Sequence, residues 1–533
     1  MPHKKNNNIF FENKLKFLFW GFIGLVFFVV LFARIRLLNI PMERDEAEYG
    51  YMGQLMLQGI PPYEMAYNMK FPGTHLMYAF FMSIFGQTLF GIHMGLLIVN
   101  LCASLFIFLF VRKFLNNNSA AVAAAVYALL TISNSVYGFA AHATHYLVLF
   151  AIAGTFYLYK TINNDKKIWF FLSGILLGIV PIMKQQGIFF CVFGAVFLLL
   201  NFLIYRKIKF KPFLYRYLIF ALGGFLPFFL MLLILKIGGV FDKFWFWTFE
   251  YAKEYENQVS LNDAFPLFKR MILFVISDLY FVWIIAALGL IIIVFHPLIK
   301  KKSNLLFILL FTVFSFLSVC PGLYFRPHYF IVFLPAVAIL FSIFTDFITT
   351  LKIKHQINYL IFYLILIFPI TFGIYSQKDY LFKNEPNYIL RKTYGFANTF
   401  IESIKIADYI KKNSKKNDKV AIIGSEPQIF FYSGRHSATG YIFTFSLNEN
   451  QKNKYIMQKE MIQEIETAHP KFIVCFPDSI YYISQWINPY LQQNKYKENG
   501  IVEMFPGLTI YKWGDEAVGY KPRSEVYAII YKR

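Results

Sequence analysis

Residues 41–72 read PMERDEAEYGYMGQLMLQGIPPYEMAYNMKFP. The stretch carries five carboxylates (Glu43, Asp45, Glu46, Glu48, Glu64) and two basic residues (Arg44, Lys70). It follows the first of a series of long apolar runs. Carboxylates beside a membrane span are costly to hold near lipid, so they are functional suspects by default. Asp45 with Glu48 three residues later fits a capping box that opens a helix stopped by Gly59 and Pro61. The competing role is a general base, Asp45 or Glu46, at the membrane surface. The two roles are compatible, because a cap also fixes a carboxylate's direction.

Around this stretch the chain is 57% hydrophobic, 20% aromatic and only 15% charged over 533 residues. Apolar runs of about 20 residues make it a polytopic α-helical membrane protein. Eleven spans are expected, near 17–39, 88–111, 120–138, 144–160, 168–184, 187–205, 217–238, 272–295, 304–320, 328–349 and 357–375. The net charge of +22 does not point to nucleic acid, because the basic residues cluster between spans. RK at 112–113, KK at 166–167, RKIKFK at 206–211, KKK at 300–302 and KIK at 352–354 fall on one side with the N-terminal lysines. Lysine and arginine mark the cytoplasmic side. The N-terminus is therefore expected inside, with the Asp45 loop and the segment after Tyr375 outside. The first run is too long for a signal peptide and lacks a small-x-small site, so an uncleaved first span is expected. Cys102, Cys191, Cys320 and Cys475 are scattered, without metal or redox spacing.

The chain divides into a membrane part, 1–375, with an outer catalytic loop at 41–87, and an extracytoplasmic α/β domain, 376–533. GTHLMYAFFMSIFGQ (73–87) reads as an interfacial helix. In the second outer loop Trp245, Trp247 and Tyr251 suit the headgroup layer, with sugar or lipid contact as the alternative. In the last domain KVAIIGS (419–425) and KFIVCF (471–476) read as buried strands. Helices near 396–413, 453–468 and 479–493 alternate with them, and IVEM and LTIYKW close the domain as a strand pair. Asp278 is the clearest intramembrane charge.

Further cations sit at outer helix ends: Lys70 in NMKFPGTH, Lys184 in MKQQG, Arg326 beside His328 in YFRPHYF. Each suits interfacial anchoring. Together, opposite an acidic loop, they also suit a phosphate site. His142 and His145 in AHATHY read as interfacial or substrate-contacting residues, too few for zinc.

RDEAEYGYM (44–52), MKFPGTHLMYAFFMSIFG (69–86), MKQQG (183–187), RPHYFIVFLP (326–335) and KVAIIGSEPQIFFYSGR (419–435) occur in this order. The chain thereby resembles the GT-C superfamily of polyprenyl-phosphate-sugar-dependent glycosyltransferases. It is most similar to the bacterial branch of protein O-mannosyltransferases and lipid A aminoarabinose transferases, glycosyltransferase families 39 and 83. The resemblance implies a sugar moved from a polyprenyl-phosphate donor to a lipid, glycan or protein acceptor, with inversion, at the outer face of the plasma (inner) membrane. It places Asp45 at the catalytic acidic position with Glu46 beside it, and Lys70 at the lipid phosphate. Lys184, Arg326, His328 and Tyr329 fall among the substrate-binding positions. No nucleotide cofactor is implied, and a divalent metal stays open. Two departures stand out: Phe71 replaces the first proline of the family's K-P-P segment, and AHATHY lacks a carboxylate. A transporter or flippase of lipid-linked sugars, a lipid-linked glycan polymerase or ligase, and a membrane-anchored assembly protein are the alternatives.

Overall fold

The computed structural model describes residues 2–205, 208–256, 258–299, 302–351, 355–476 and 481–533. Of the expected features, Arg206, Lys207, Lys300, Lys301, the 352–354 KIK stretch and the first two residues of the 479–493 helix lie outside the described residues. The chain forms two compact units. One comprises Met1–Leu38, His93–Leu230 and Val259–Lys383; the other comprises Asn39–Ile92, Met231–Gln258 and Asn384–Arg533.

The first unit is helical. Its centre is formed by Asn117–Ile132 and Leu334–Thr349, whose residues are buried almost all round. A helix apolar on every face belongs in a core or a membrane, and these two pack on each other. Elsewhere small residues let helices approach closely. A Cβ on Gly174 or Gly178, in the helix Lys167–Met183, would lie 2.2 Å from the carbonyl oxygens of Phe220 and Gly224 respectively. Such close approach is a common basis of helix pairing in lipid.

Among the described residues, six helices are long and apolar enough to cross a membrane, or seven with one bent pair counted as a single span. The protein is a multi-pass membrane protein, but the expected count of eleven is not reached by this measure. Asn117–Ile132, Lys167–Met183 and Ser303–Leu317 are apolar helices too short to be counted as spans by length.

The bent pair also corrects the expectation of one straight span at 272–295. Leu261–Ser277 and Tyr280–Ile292 meet at 111°. Asp278 sits at the bend. Its carboxylate accepts hydrogen bonds from Ser133 Oγ at 2.8 Å and the Ser135 N–H at 2.7 Å, and its carbonyl accepts from Ser376 Oγ at 2.9 Å. This part-buried carboxylate is satisfied by neutral donors.

The second unit is assembled from three distant pieces of sequence. Its sheet has strands β1 (Val420–Ile423), β2 (Phe472–Cys475), β3 (Lys497–Phe505), β4 (Leu508–Trp513) and β5 (Tyr527–Lys532), in the order β1-β2-β5-β3-β4. β1 and β2 are parallel; β5 runs antiparallel to both β2 and β3. The expected strands are present, and IVEM and LTIYKW do pair as β3 and β4. They are not the last strands of the chain: β5, unread in the sequence, follows them and enters between β2 and β3. Crossing β1 to β2 are Gln428–Ser433 and Lys454–Ala468.

The aromatic loop is a second correction. Trp247 and Tyr251 are buried in one cluster with Tyr67, Tyr441, Met457 and Met461, on the flank of the sheet. Trp245 alone of the three is exposed. Two rings read as headgroup anchors are thus core residues of the unit that carries the acidic stretch.

Candidate active site

The site is built on the helix Arg44–Leu57. Glu43, in extended conformation, is its N-cap: the carboxylate accepts the Glu46 N–H at 2.9 Å, and the Glu46 carboxylate accepts the Glu43 N–H at 3.3 Å. The capping box is therefore Glu43 with Glu46, two residues earlier than the expected Asp45–Glu48 pair. This reassigns the chemistry. Glu46, expected beside the catalytic position, is fully buried and engaged in the cap. Burial, with Asp45 and Glu46 beside it, holds the Glu43 carboxyl well above the ordinary carboxylate range.

Asp45 and Glu48, three residues apart, share one helix face. Both reach Lys70. Its Nζ lies 3.1 Å from Asp45 Oδ1 and 2.7 Å from Glu48 Oε2, and 4.5 Å from the centre of the Tyr49 ring. Lys70 lies in the bent stretch two residues before Pro72, the N-cap of the helix Gly73–Phe85. The environments of the two acids differ: the Asp45 side chain is 26% exposed, whereas that of Glu48 is 0% exposed. Glu48 also meets His75 Nε2 at 3.3 Å. Burial disfavours the Lys70 ammonium, but Asp45 and Glu48 outweigh that and hold its pKa well above the usual lysine range. Burial lowers the pKa of His75, so the ring is neutral at pH 7 and offers Nε2–H to Glu48.

The helix start is fixed from the far end of the sequence. The Arg44 guanidinium donates to the Ser425 carbonyl at 2.6 Å and pairs with Glu426 at 2.8 Å, between the rings of Phe400 and Phe445. The Tyr432 hydroxyl accepts from the Met42 N–H at 3.0 Å, and Gln54 donates to the Phe431 carbonyl at 3.3 Å. The motif SEPQIFFYS (425–433) therefore frames the acidic helix. Further on, Tyr67 donates to Glu464 at 2.6 Å and stacks on Trp247 at 5.4 Å.

The remaining expected residues belong to the other unit. There Lys184, extended between two helices, places Nζ 3.9 Å from the centre of the Tyr329 ring. His328 stacks on His142 at 4.1 Å, and both are buried. Arg326 lies over the Tyr324 ring at 5.3 Å. His145 is a core histidine bonded to Asn100 at 3.1 Å. Thus Lys184, Tyr329 and His328 form one group, which His142 extends.

Sequence reasoning missed Glu48 as a lysine partner, along with His75, Tyr49 and the Arg44 anchors. The spacing of Asp45 and Glu48 was a usable signal, but it was read as a cap. Nothing local in the sequence joins Arg44 to residue 426.

A many-helix membrane protein whose acidic helix presents one part-exposed carboxylate beside a bound lysine defines a class, and comparison with known proteins narrows it. The sequence profile of the family described as dolichyl-phosphate-mannose-protein mannosyltransferase matches residues 70–231. The structure is similar to ArnT from Cupriavidus metallidurans in the apo state, with 12% identity, 87% of this chain and 94% of that chain covered, and a TM-score of 0.61. The same protein bound to undecaprenyl phosphate gives 13% identity, 87% and 95% coverage, and a TM-score of 0.60. The apo Archaeoglobus fulgidus oligosaccharyltransferase gives 12% identity, 94% and 75% coverage, and a TM-score of 0.54. No curated protein sequence matches. The chain has the fold of the GT-C glycosyltransferases, as its motifs led one to expect.

Proposed function

We propose that this protein is an integral membrane glycosyltransferase that moves a sugar from a polyprenyl-phosphate donor to a hydroxyl of a lipid, glycan or protein acceptor. Asp45 is the general base. As the acceptor oxygen attacks the anomeric carbon, the bond from that carbon to the phosphate oxygen breaks and the acceptor proton passes to Asp45. A single displacement inverts the anomeric centre. The phosphodiester leaves as a polyprenyl phosphate with one more negative charge, and Lys70 is the cation that meets it. Lys184, Arg326, His328 and Tyr329 keep the donor-binding roles implied by the resemblance, and Glu46 acts through the cap rather than on substrate.

One observation carries this reading: of Glu43, Asp45, Glu46 and Glu48, only Asp45 combines a part-exposed carboxylate with a lysine at hydrogen-bonding distance. The undecaprenyl phosphate bound to the similar ArnT structure supports the donor class. The reaction is placed at the outer face of the plasma membrane, with residues 1–375 as the transferase part and 376–533 as an outer domain. The lysine and arginine asymmetry supports that orientation. The bent helix pair is the one feature favouring a transporter, which is expected to use broken helices; its Asp278 is already held by Ser133 and Ser135.

The test is transfer by purified full-length protein supplied with a panel of polyprenyl-phosphate sugars, guided by mass spectrometry of glycolipids and glycoproteins from cells lacking the gene. Transfer that depends on Asp45 supports the reading. A wild-type rate in Asp45→Asn removes it.

A further inference from the structure

Lys70 has two anionic partners that differ in every physical respect. Glu48 is closer, at 2.7 Å against 3.1 Å for Asp45, and wholly buried. Its second oxygen is tied by His75 Nε2 at 3.3 Å, and His75 is itself buried against Tyr49, 5.5 Å between ring centres. A buried carboxylate with both oxygens engaged has no solvated alternative, so moving the lysine off it would strand a charge. Asp45 lies on the exposed side, where water can take over when the lysine leaves. Three N–H donors on one ammonium allow one partner to be exchanged while another is kept.

We propose that Glu48 is the fixed counter-ion of Lys70 and Asp45 its exchangeable one, so that a phosphate oxygen reaching the ammonium displaces Asp45 while Glu48 holds the lysine in place. Glu48 and His75 are then positioning residues that act through Lys70. Arrival of the donor releases the base: before binding, Asp45 is neutralised by Lys70; with phosphate on the lysine, Asp45 turns to the acceptor hydroxyl. Transfer and donor occupancy become coupled without any movement of the helix. The inference rests on the glycosyl-transfer reading for its purpose, but its geometry can be tested without transfer.

The test uses full-length protein in nanodiscs with undecaprenyl phosphate as the probe, read by binding titration and by thermal unfolding. Asp45→Asn removes the competitor, so the probe should bind roughly tenfold tighter, the scale of deleting one anion a few ångströms from another at a partly screened site. In a Lys70→Met background the same change should do nothing. Stability should separate the two acids. Lys70→Met strands Glu48, so adding Glu48→Gln should recover most of the lost Tm, whereas adding Asp45→Asn should recover little. Equal recovery by both, or unchanged probe affinity in Asp45→Asn, overturns the inference. If the wild type does not bind undecaprenyl phosphate at all, the polyprenyl-donor reading falls as well. If it binds and only the Asp45 effect is missing, the donor reading stands and the exchange fails alone.

Discussion

Two aspartates at helix ends differ in what holds them: Asp278 by neutral donors, Asp45 by a lysine beside solvent. Asp278, at the 111° bend of the first unit, is satisfied by a hydroxyl and a backbone N–H, neutral donors that cannot leave without unfolding the turn. Asp45, at the start of the acidic helix, faces an ammonium and solvent. The first environment ties the carboxylate into the fold. The second leaves it a charged partner that a ligand can exchange. The same contrast holds for Asp346, buried in the first unit under Asn116, Ser119 and His296 at 2.5, 2.5 and 3.1 Å. Residue type alone says nothing here; the partner's charge and mobility decide.

The sharpest way to break this comparison is to neutralise both acids in turn. Asp45→Asn should lower transfer by roughly 10²–10⁴-fold, the range general-base catalysis supplies, with unfolding temperature nearly unchanged. Asp278→Asn should do the opposite, lowering stability while leaving transfer per folded molecule within a few-fold. Equal effects of the two substitutions on activity would end the distinction.

The next largest effect is expected at the cation. Lys70→Met leaves Glu48 buried without its partner, and loss of one member of a buried pair costs about 3–5 kcal/mol. Thermal unfolding should report it, and any transfer that survives should need more donor. An unchanged Tm would mean that Glu48 takes up a proton at little cost.

Smaller again is the clamp on Arg44 from residues 425–426. Arg44→Ala removes hydrogen bonds to Ser425 and Glu426 and the ring contacts with Phe400 and Phe445. A charge-assisted bond of this kind is worth about 1.5–3 kcal/mol, reduced here because Arg44 is part-exposed. If the clamp aims Asp45, transfer should fall further than stability does; a matching fall in both would make it only a brace.

The least effect concerns the cap. A carboxyl whose folded pKa is raised stabilises the fold relative to its ionised form below the ordinary carboxylate range, and that contribution is lost as pH rises through the raised value. Wild-type Tm should therefore slip between mildly acidic and neutral pH or above. Glu43→Gln, which keeps an acceptor without the charge, should flatten that slope. An identical slope in both proteins would assign it elsewhere.

Much of this molecule could be read from its chain, for reasons that differ by element. Apolar runs mark membrane helices because lipid imposes length and composition on each run alone. Helices too short to count as spans were invisible to that logic. β1 and β2 were legible as continuous apolar strands; β5 was not, since its place between β2 and β3 depends on partners 24 to 60 residues away. The acidic stretch holds two overlapping acid pairs at capping distance, Glu43–Glu46 and Asp45–Glu48, and pattern alone could not choose where the helix begins. Trp247 and Tyr251 were misread because a headgroup layer and a protein core favour the same rings.

The anchors of Arg44 carry a consequence for synthesis. Ser425 and Glu426 lie 381 and 382 residues further along the chain. A ribosome inserting this protein makes the acidic helix early and its frame late. For most of translation the helix start therefore waits without its guanidinium partners, in a membrane full of lipid phosphates. On the proposed reading, the start of the helix that carries Asp45 is framed only once Ser425 and Glu426 have been made, so competence arrives late in synthesis rather than growing with length.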